Sequence, residues 1–179
     1  RQRQMCIRDR FTSYHRRSYV CKTGVGDVLI GAAAEAATQN GVAEASHVRD
    51  KLVEMVHLNE TIYAAGIASS HQSFRRPAGN YENDGLLANI CKHNVTRFPY
   101  EIGRLAQDLA GGLLVTMPGE AEFDDPDLGP ILTKYLSTGP EHDVADRRRI
   151  LRLIENMTMG RNAVGYLTES LHGAGSPQA

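Results

Sequence analysis

The chain has no tryptophan among its 179 residues, only three cysteines, and a formal net charge of −1. Each shortage excludes something. Cys6, Cys21 and Cys91 are too few and too scattered for a disulfide framework, so a reducing, cytoplasmic setting is expected. Nearly balanced charge provides no bulk field for nucleic acid or an anionic membrane, and neither partner is expected. No apolar run approaches the roughly 18 residues of a membrane span. The basic start lacks the apolar stretch of a secretory leader.

What is present suffices for one domain with a real core. The first ten residues show neither helical nor strand period. They are read as a non-native leader, with residues 11–179 as the domain, a fragment cut at both ends. An Ala-rich helix is expected over 27–39, stopped by Asn40-Gly41. A second, over 43–69, repeats Val48, Leu52, Met55, Ile62 and Ile67 at helical spacing. A loop over 71–80 follows. The next helix is expected from 81 to 96, with a kink or break at Pro99 and then helix again to 110. A long acidic loop should open at Met117-Pro118-Gly119. Two last helices are expected at 144–157 and 163–171. No alternating strand pattern appears. The expectation is all-α: an antiparallel helix bundle with short connections.

Chemistry concentrates at the two ends. Tyr14-His15-Arg16-Arg17-Ser18-Tyr19-Val20-Cys21-Lys22 gathers imidazole, phenol, thiol and amine. Imidazole and thiolate both ligate iron or zinc, but two donors do not complete a site. Tyr166-Leu167-Thr168-Glu169-Ser170-Leu171-His172-Gly173-Ala174-Gly175-Ser176-Pro177-Gln178 sets a carboxylate before a Gly-rich turn. Gly111-Gly112, after Ala110, either ends a helix or lets the backbone approach a phosphate. Cys91 and His93 fall on different helix faces. Arg147-Arg148-Arg149 reads as a solvated face.

These two end segments resemble the 4-hydroxybutyryl-CoA dehydratase family, within the superfamily of acyl-CoA dehydrogenases and 4-hydroxyphenylacetate hydroxylases. The family's first pattern is Tyr-His-Arg-x-Ser-Tyr-Gly-Gly-Cys-Lys. Its second differs from this chain only at Leu167 and Leu171. The run Asn94-Val95-Thr96-Arg97-Phe98-Pro99-Tyr100-Glu101 also matches closely. The resemblance implies the helical bundle of the acyl-CoA dehydrogenase C-terminal domain, in a homotetramer. It implies FAD, with Ala110, Gly111, Gly112, Val164 and Gly165 as contacts. It also implies a 4Fe–4S cluster on His15 and Cys21, with two further ligands from an N-terminal half outside this chain. By the same resemblance His15, Tyr19, Lys22 and Glu169 are catalytic. The implied reaction removes water from the acyl-CoA substrate 4-hydroxybutyryl-CoA to give crotonyl-CoA, with vinylacetyl-CoA isomerisation beside it.

One departure stands out. Val20 replaces the family's two glycines, so His15 and Cys21 are six residues apart rather than seven. At roughly 100° per residue, seven positions return to nearly one helix face and six end about 120° away. Two alternatives follow: a flavin-dependent aromatic hydroxylase without a cluster, or an inactive, oligomerising helical fragment.

Overall fold

The computed structural model describes residue 15 and residues 19–171; the segment read as a leader lies outside these. The described residues form helices α1 (Lys22–Gln39), α2 (Ser46–His71), α3 (Gly85–Val95), α4 (Phe98–Ala110), α5 (Leu113–Thr116), α6 (Glu120–Phe123), α7 (Gly129–Leu136) and α8 (Val144–Thr158). Two-residue strands β1 (Phe74–Arg75) and β2 (Tyr81–Glu82) lie between α2 and α3. Short 3-10 turns span Tyr19–Cys21, Arg161–Gly165 and Glu169–Leu171. The fold is all-α.

Helices α1, α2, α4 and α8 enclose the main core. Leu29, Ala33, Met55, Ile102, Ala106, Leu151 and Ile154 are almost wholly removed from water there. The Ala-rich run of α1 serves as an approach surface. Ala32, Ala33, Ala36 and Ala37 are all buried, and their small side chains let neighbouring helices come close. A second cluster, Ile62, Ala65, Cys91 and Val95, packs under Tyr19, Val20 and Phe98. It supports the N-terminal motif.

Several boundaries depart from the sequence expectation, each for an identifiable physical reason. Helix α1 begins five residues before 27, taking in Gly24 and Gly26. The second glycine is required by packing: a Cβ there would lie 2.1 Å from Asn59 Oδ1. Residues 81–82 are strand, not helix. Phe74 pairs with Glu82 and Arg75 with Tyr81, around Gly79 at φ +89° and an Arg76–Glu82 ion pair. Helix α3 starts only after Asp84, whose carboxylate accepts the Leu87 amide at 2.8 Å. The expected break at Pro99 is there, between Val95 at the end of α3 and Phe98 at the start of α4. The proline sits in the first turn of α4, where its missing N–H has no intrahelical partner to lose.

The acidic stretch is not one long loop, since it carries α6 and α7. Both are too short to show a period. Arg147 is not on a solvated face: it is 7% exposed, and burial lowers its pKa. Arg148 stacks 3.9 Å from the centre of the Phe123 ring. Only Arg149 fits the solvated reading, exposed and paired with Asp146. The expected helix at 163–171 is two 3-10 turns instead. The carbonyl of Gly165, which an α-helix would direct to residue 169, receives Lys22.

Candidate active site

Lys22 opens α1 on the buried side of the bundle and is 6% exposed. A buried ammonium needs compensating acceptors. It donates to the Gly165 carbonyl and to Glu169 Oε2. Glu169 remains more than half exposed, so its carboxylate faces both the amine and the outside. The two ends of the chain therefore meet in one ion pair.

Tyr19 lies in the 3-10 turn that leads into α1. Its hydroxyl is 3.4 Å from His15 Nε2, and the two rings meet edge to face at 5.2 Å. Burial, then the neighbouring Glu169 and Cys21, raise the Tyr19 phenol above its ordinary value. It therefore stays protonated and able to donate near neutrality.

Cys21 is exposed beside this group. Among the described residues, no three His, Cys, Asp or Glu side chains converge as a metal site. Imidazole and thiolate are both donors suited to iron, so His15 and Cys21 fit such a group by their chemistry.

Lys92 was not singled out from the sequence. Its Nζ lies 3.2 Å from the centre of the Tyr19 ring and donates to the Ser170 carbonyl. It ties the Tyr19 turn to the Glu169 segment. A signal existed: Lys92 follows Ala88 by four and precedes Val95 by three, so it occupies the buried stripe of α3. A lysine on an apolar stripe needs an explanation.

Ala110, Gly111 and Gly112 sit apart from this group. Lys51 pairs with Asp108 at 2.7 Å, which places the end of α4 near the start of α2. Asn59 reaches Thr23 and Gly66 faces Val20, which places Lys22 roughly 15 Å further along α2 at 1.5 Å per residue. Gly111 closes α4 at φ +76°. A Cβ on either glycine would meet nothing within 4 Å. This is exposed backbone with open space before it, the shape that suits close approach of a phosphate. Val164 is exposed, and Gly165 is also open, but both lie beside Lys22.

The family model described as HpaB, 4-hydroxyphenylacetate 3-hydroxylase C terminal, matches residues 7–179. The 4-hydroxybutyryl-CoA dehydratase/vinylacetyl-CoA-Δ-isomerase of Clostridium aminobutyricum is 57% identical over 180 residues, covering 96% of this chain and 37% of that protein. The solved structure of an oxygen-tolerant archaeal 4-hydroxybutyryl-CoA dehydratase from N. maritimus aligns with a TM-score of 0.92 at 69% identity. That alignment covers 95% of this chain and 34% of the other. An HpaB oxygenase component complexed with FAD and 4-hydroxyphenylacetate aligns with a TM-score of 0.80 at 23% identity, over 91% of this chain and 34% of the other. This last likeness shows the fold alone. The chain spans about a third of the length of these relatives.

Proposed function

The chain belongs to the 4-hydroxyphenylacetate 3-hydroxylase C-terminal family, and on that premise we propose that it is the C-terminal helical part of a dehydratase. The whole enzyme would use FAD and a 4Fe–4S cluster to convert 4-hydroxybutyryl-CoA to crotonyl-CoA and would isomerise vinylacetyl-CoA. The observation that carries this reading is 57% identity over nearly the whole chain to a protein of that activity. The aromatic hydroxylase reading rests on likeness at 23% identity in solved structures and is the weaker of the two.

His15 and Cys21 would hold the cluster, and Gly111, Gly112, Val164 and Gly165 would approach the flavin, within a cytoplasmic homotetramer. When bound, the flavin supplies a reversible electron acceptor and the cluster a Lewis acid for the leaving hydroxyl. The chain's own residues handle charge and protons. Lys22 presents a positive charge at a fixed place, because two acceptors hold its Nζ. That charge can polarise a thioester carbonyl or orient a hydroxyl. Glu169, half open to the outside, can take or return a proton at its carboxylate. His15 can accept a proton at its imidazole, and Tyr19 can donate a hydrogen bond from its phenol.

The test is iron and acid-labile sulfide per subunit in the full-length protein purified without oxygen, with turnover of 4-hydroxybutyryl-CoA. About four of each per subunit, with crotonyl-CoA formed, is the expected result. Bound FAD without iron, and hydroxylation of a phenol, would replace this reading with the hydroxylase.

A further inference from the structure

Beneath the Lys22–Glu169 pair lies a buried polar layer that none of the roles above uses. Gly26 follows Lys22 by one helical turn, on the same face of α1. Where its Cβ would stand, Asn59 Oδ1 lies 2.1 Å away and the Tyr166 hydroxyl 3.1 Å away. Asn59 is 1% exposed and Tyr166 2%. Asn59 uses its amide nitrogen fully, donating to the Thr23 carbonyl at 3.0 Å and to Asp27 Oδ1 at 2.7 Å. Its amide oxygen and the Tyr166 hydroxyl have no partner among the described residues. Two buried, unsatisfied polar atoms facing one gap are costly unless they meet directly or through a water. Burial, with Asp27 close by, raises the Tyr166 phenol above its ordinary value, so it remains a donor.

The sequence neighbours of these groups give the layer its meaning. Thr23 follows Lys22. Tyr166 follows Gly165, whose carbonyl receives Lys22, and lies three residues before Glu169. One asparagine on α2 therefore reaches toward both arms of the ion pair through their adjacent residues. We propose that Asn59 and Tyr166 are positioning residues: one buried water bridges the Tyr166 hydroxyl to Asn59 Oδ1, and this link holds Lys22 in register with Gly165 and Glu169. Neither touches substrate. The catalytic consequence rests on the dehydratase reading; the positional consequence does not.

The experiment uses the full-length protein with Tyr166→Phe, which removes one oxygen, Asn59→Leu, which keeps the shape, and the double variant. The first readout is the rate of acylation of Lys22 by an amine-reactive ester, measured by peptide mass spectrometry. Alkylation of buried Cys91 reports general loosening. Tyr166→Phe should raise Lys22 labelling about fivefold, the scale of losing one buried hydrogen bond, and Asn59→Leu, which also loses the Thr23 and Asp27 bonds, at least as much, with Cys91 unchanged. The double should add nothing further, because the two act through one link. Unchanged Lys22 labelling in both singles, additive effects in the double, or a parallel rise at Cys91 would each overturn the proposal. The second readout is dehydration of 4-hydroxybutyryl-CoA, where kcat should fall with KM nearly constant. Raised Lys22 labelling with unaltered kcat would keep the positional link and remove Lys22 from the proposed chemistry.

Discussion

The ammonium of Lys22 and the carboxylate of Glu169 are bonded to each other across 147 positions of sequence. The first belongs to the opening turn of the first long helix, the second to the last described turn of the chain. The pair is asymmetric: the amine is buried and the carboxylate mostly open. That asymmetry separates stability from chemistry.

Glu169→Gln keeps an oxygen that Lys22 can donate to but removes the counter-charge of a buried amine, so it should cost roughly 1–3 kcal/mol in folding, less than a fully buried pair because the carboxylate side is open to water. Its effect on turnover should be roughly 10²–10⁴-fold, the range for a lost acid–base group. Thermal unfolding and kcat measured on one preparation check this. A loss of stability that accounts for the loss of activity would show Glu169 to be structural only.

Val20 and Gly66 make a second, purely steric prediction. A Cβ on Gly66 would stand 2.4 Å from Val20 Cγ2 and 2.7 Å from its Cβ. Gly66→Ala should destabilise the protein by roughly 1–3 kcal/mol, the usual cost of overpacking. Val20→Gly in the same chain removes every clashing atom and should return most of the lost melting temperature. If Gly66→Ala alone leaves the melting temperature unchanged, the contact is not tight.

Gly112 tests the flavin assignment separately from the fold. It is in ordinary helical backbone, φ −63°, and open space surrounds it. Gly112→Val should leave the melting temperature of the cofactor-free protein within about 0.5 kcal/mol in stability, as for other surface changes. FAD content of the purified full-length enzyme should fall severalfold. Full FAD loading in that variant would remove the glycine pair from the cofactor site.

Two shielded tyrosines should make stability fall at alkaline pH. Tyr166 and Tyr19 are both raised above the ordinary 10.0 in the folded chain. Above pH 10 the unfolded chain loses these phenolic protons while the folded chain keeps them, so unfolding releases protons and stability falls as pH rises. Below pH 10 both states hold the protons and this contribution is complete. Denaturant midpoints should therefore drop between pH 9 and 11, and drop less steeply in Tyr166→Phe. Equal slopes in the two proteins would show that Tyr166 is not shielded from ionising.

Much of the architecture could be read from residue order because it rests on local rules. The Ala-rich run, the 3.6-residue period of α2 and the Asn40-Gly41 stop each act within a few residues. Apart from the hairpin and Asp84 cap before α3, which are local, the misread stretches were those where a distant partner overrides local preference. Gly26 is a weak helix former by local preference, yet α1 runs through it and packs on Asn59, which fills the space a side chain would need. Residues 163–171 have the composition of a helix, yet Lys22 draws off the Gly165 carbonyl. Arg147 looks like one of three solvated arginines, and its neighbours alone decide that it is buried.

By itself, the sequence determined an all-α bundle, a low-charge chain without a membrane-spanning run, and two end segments carrying imidazole, phenol, thiol, amine and carboxylate. These follow from side-chain chemistry and from periods that need no knowledge of what lies across the core. Tertiary structure alone decided that Lys22 meets Glu169, that Lys92 spans Tyr19 and Ser170, and that Asn59 and Tyr166 face one gap beside Gly26. It also set the glycine pair at the far end of the bundle. The physical reason is common to all of these. Burying a charge or an amide requires a partner, and which partner is near depends on how the helices cross, which no single stretch of residues specifies.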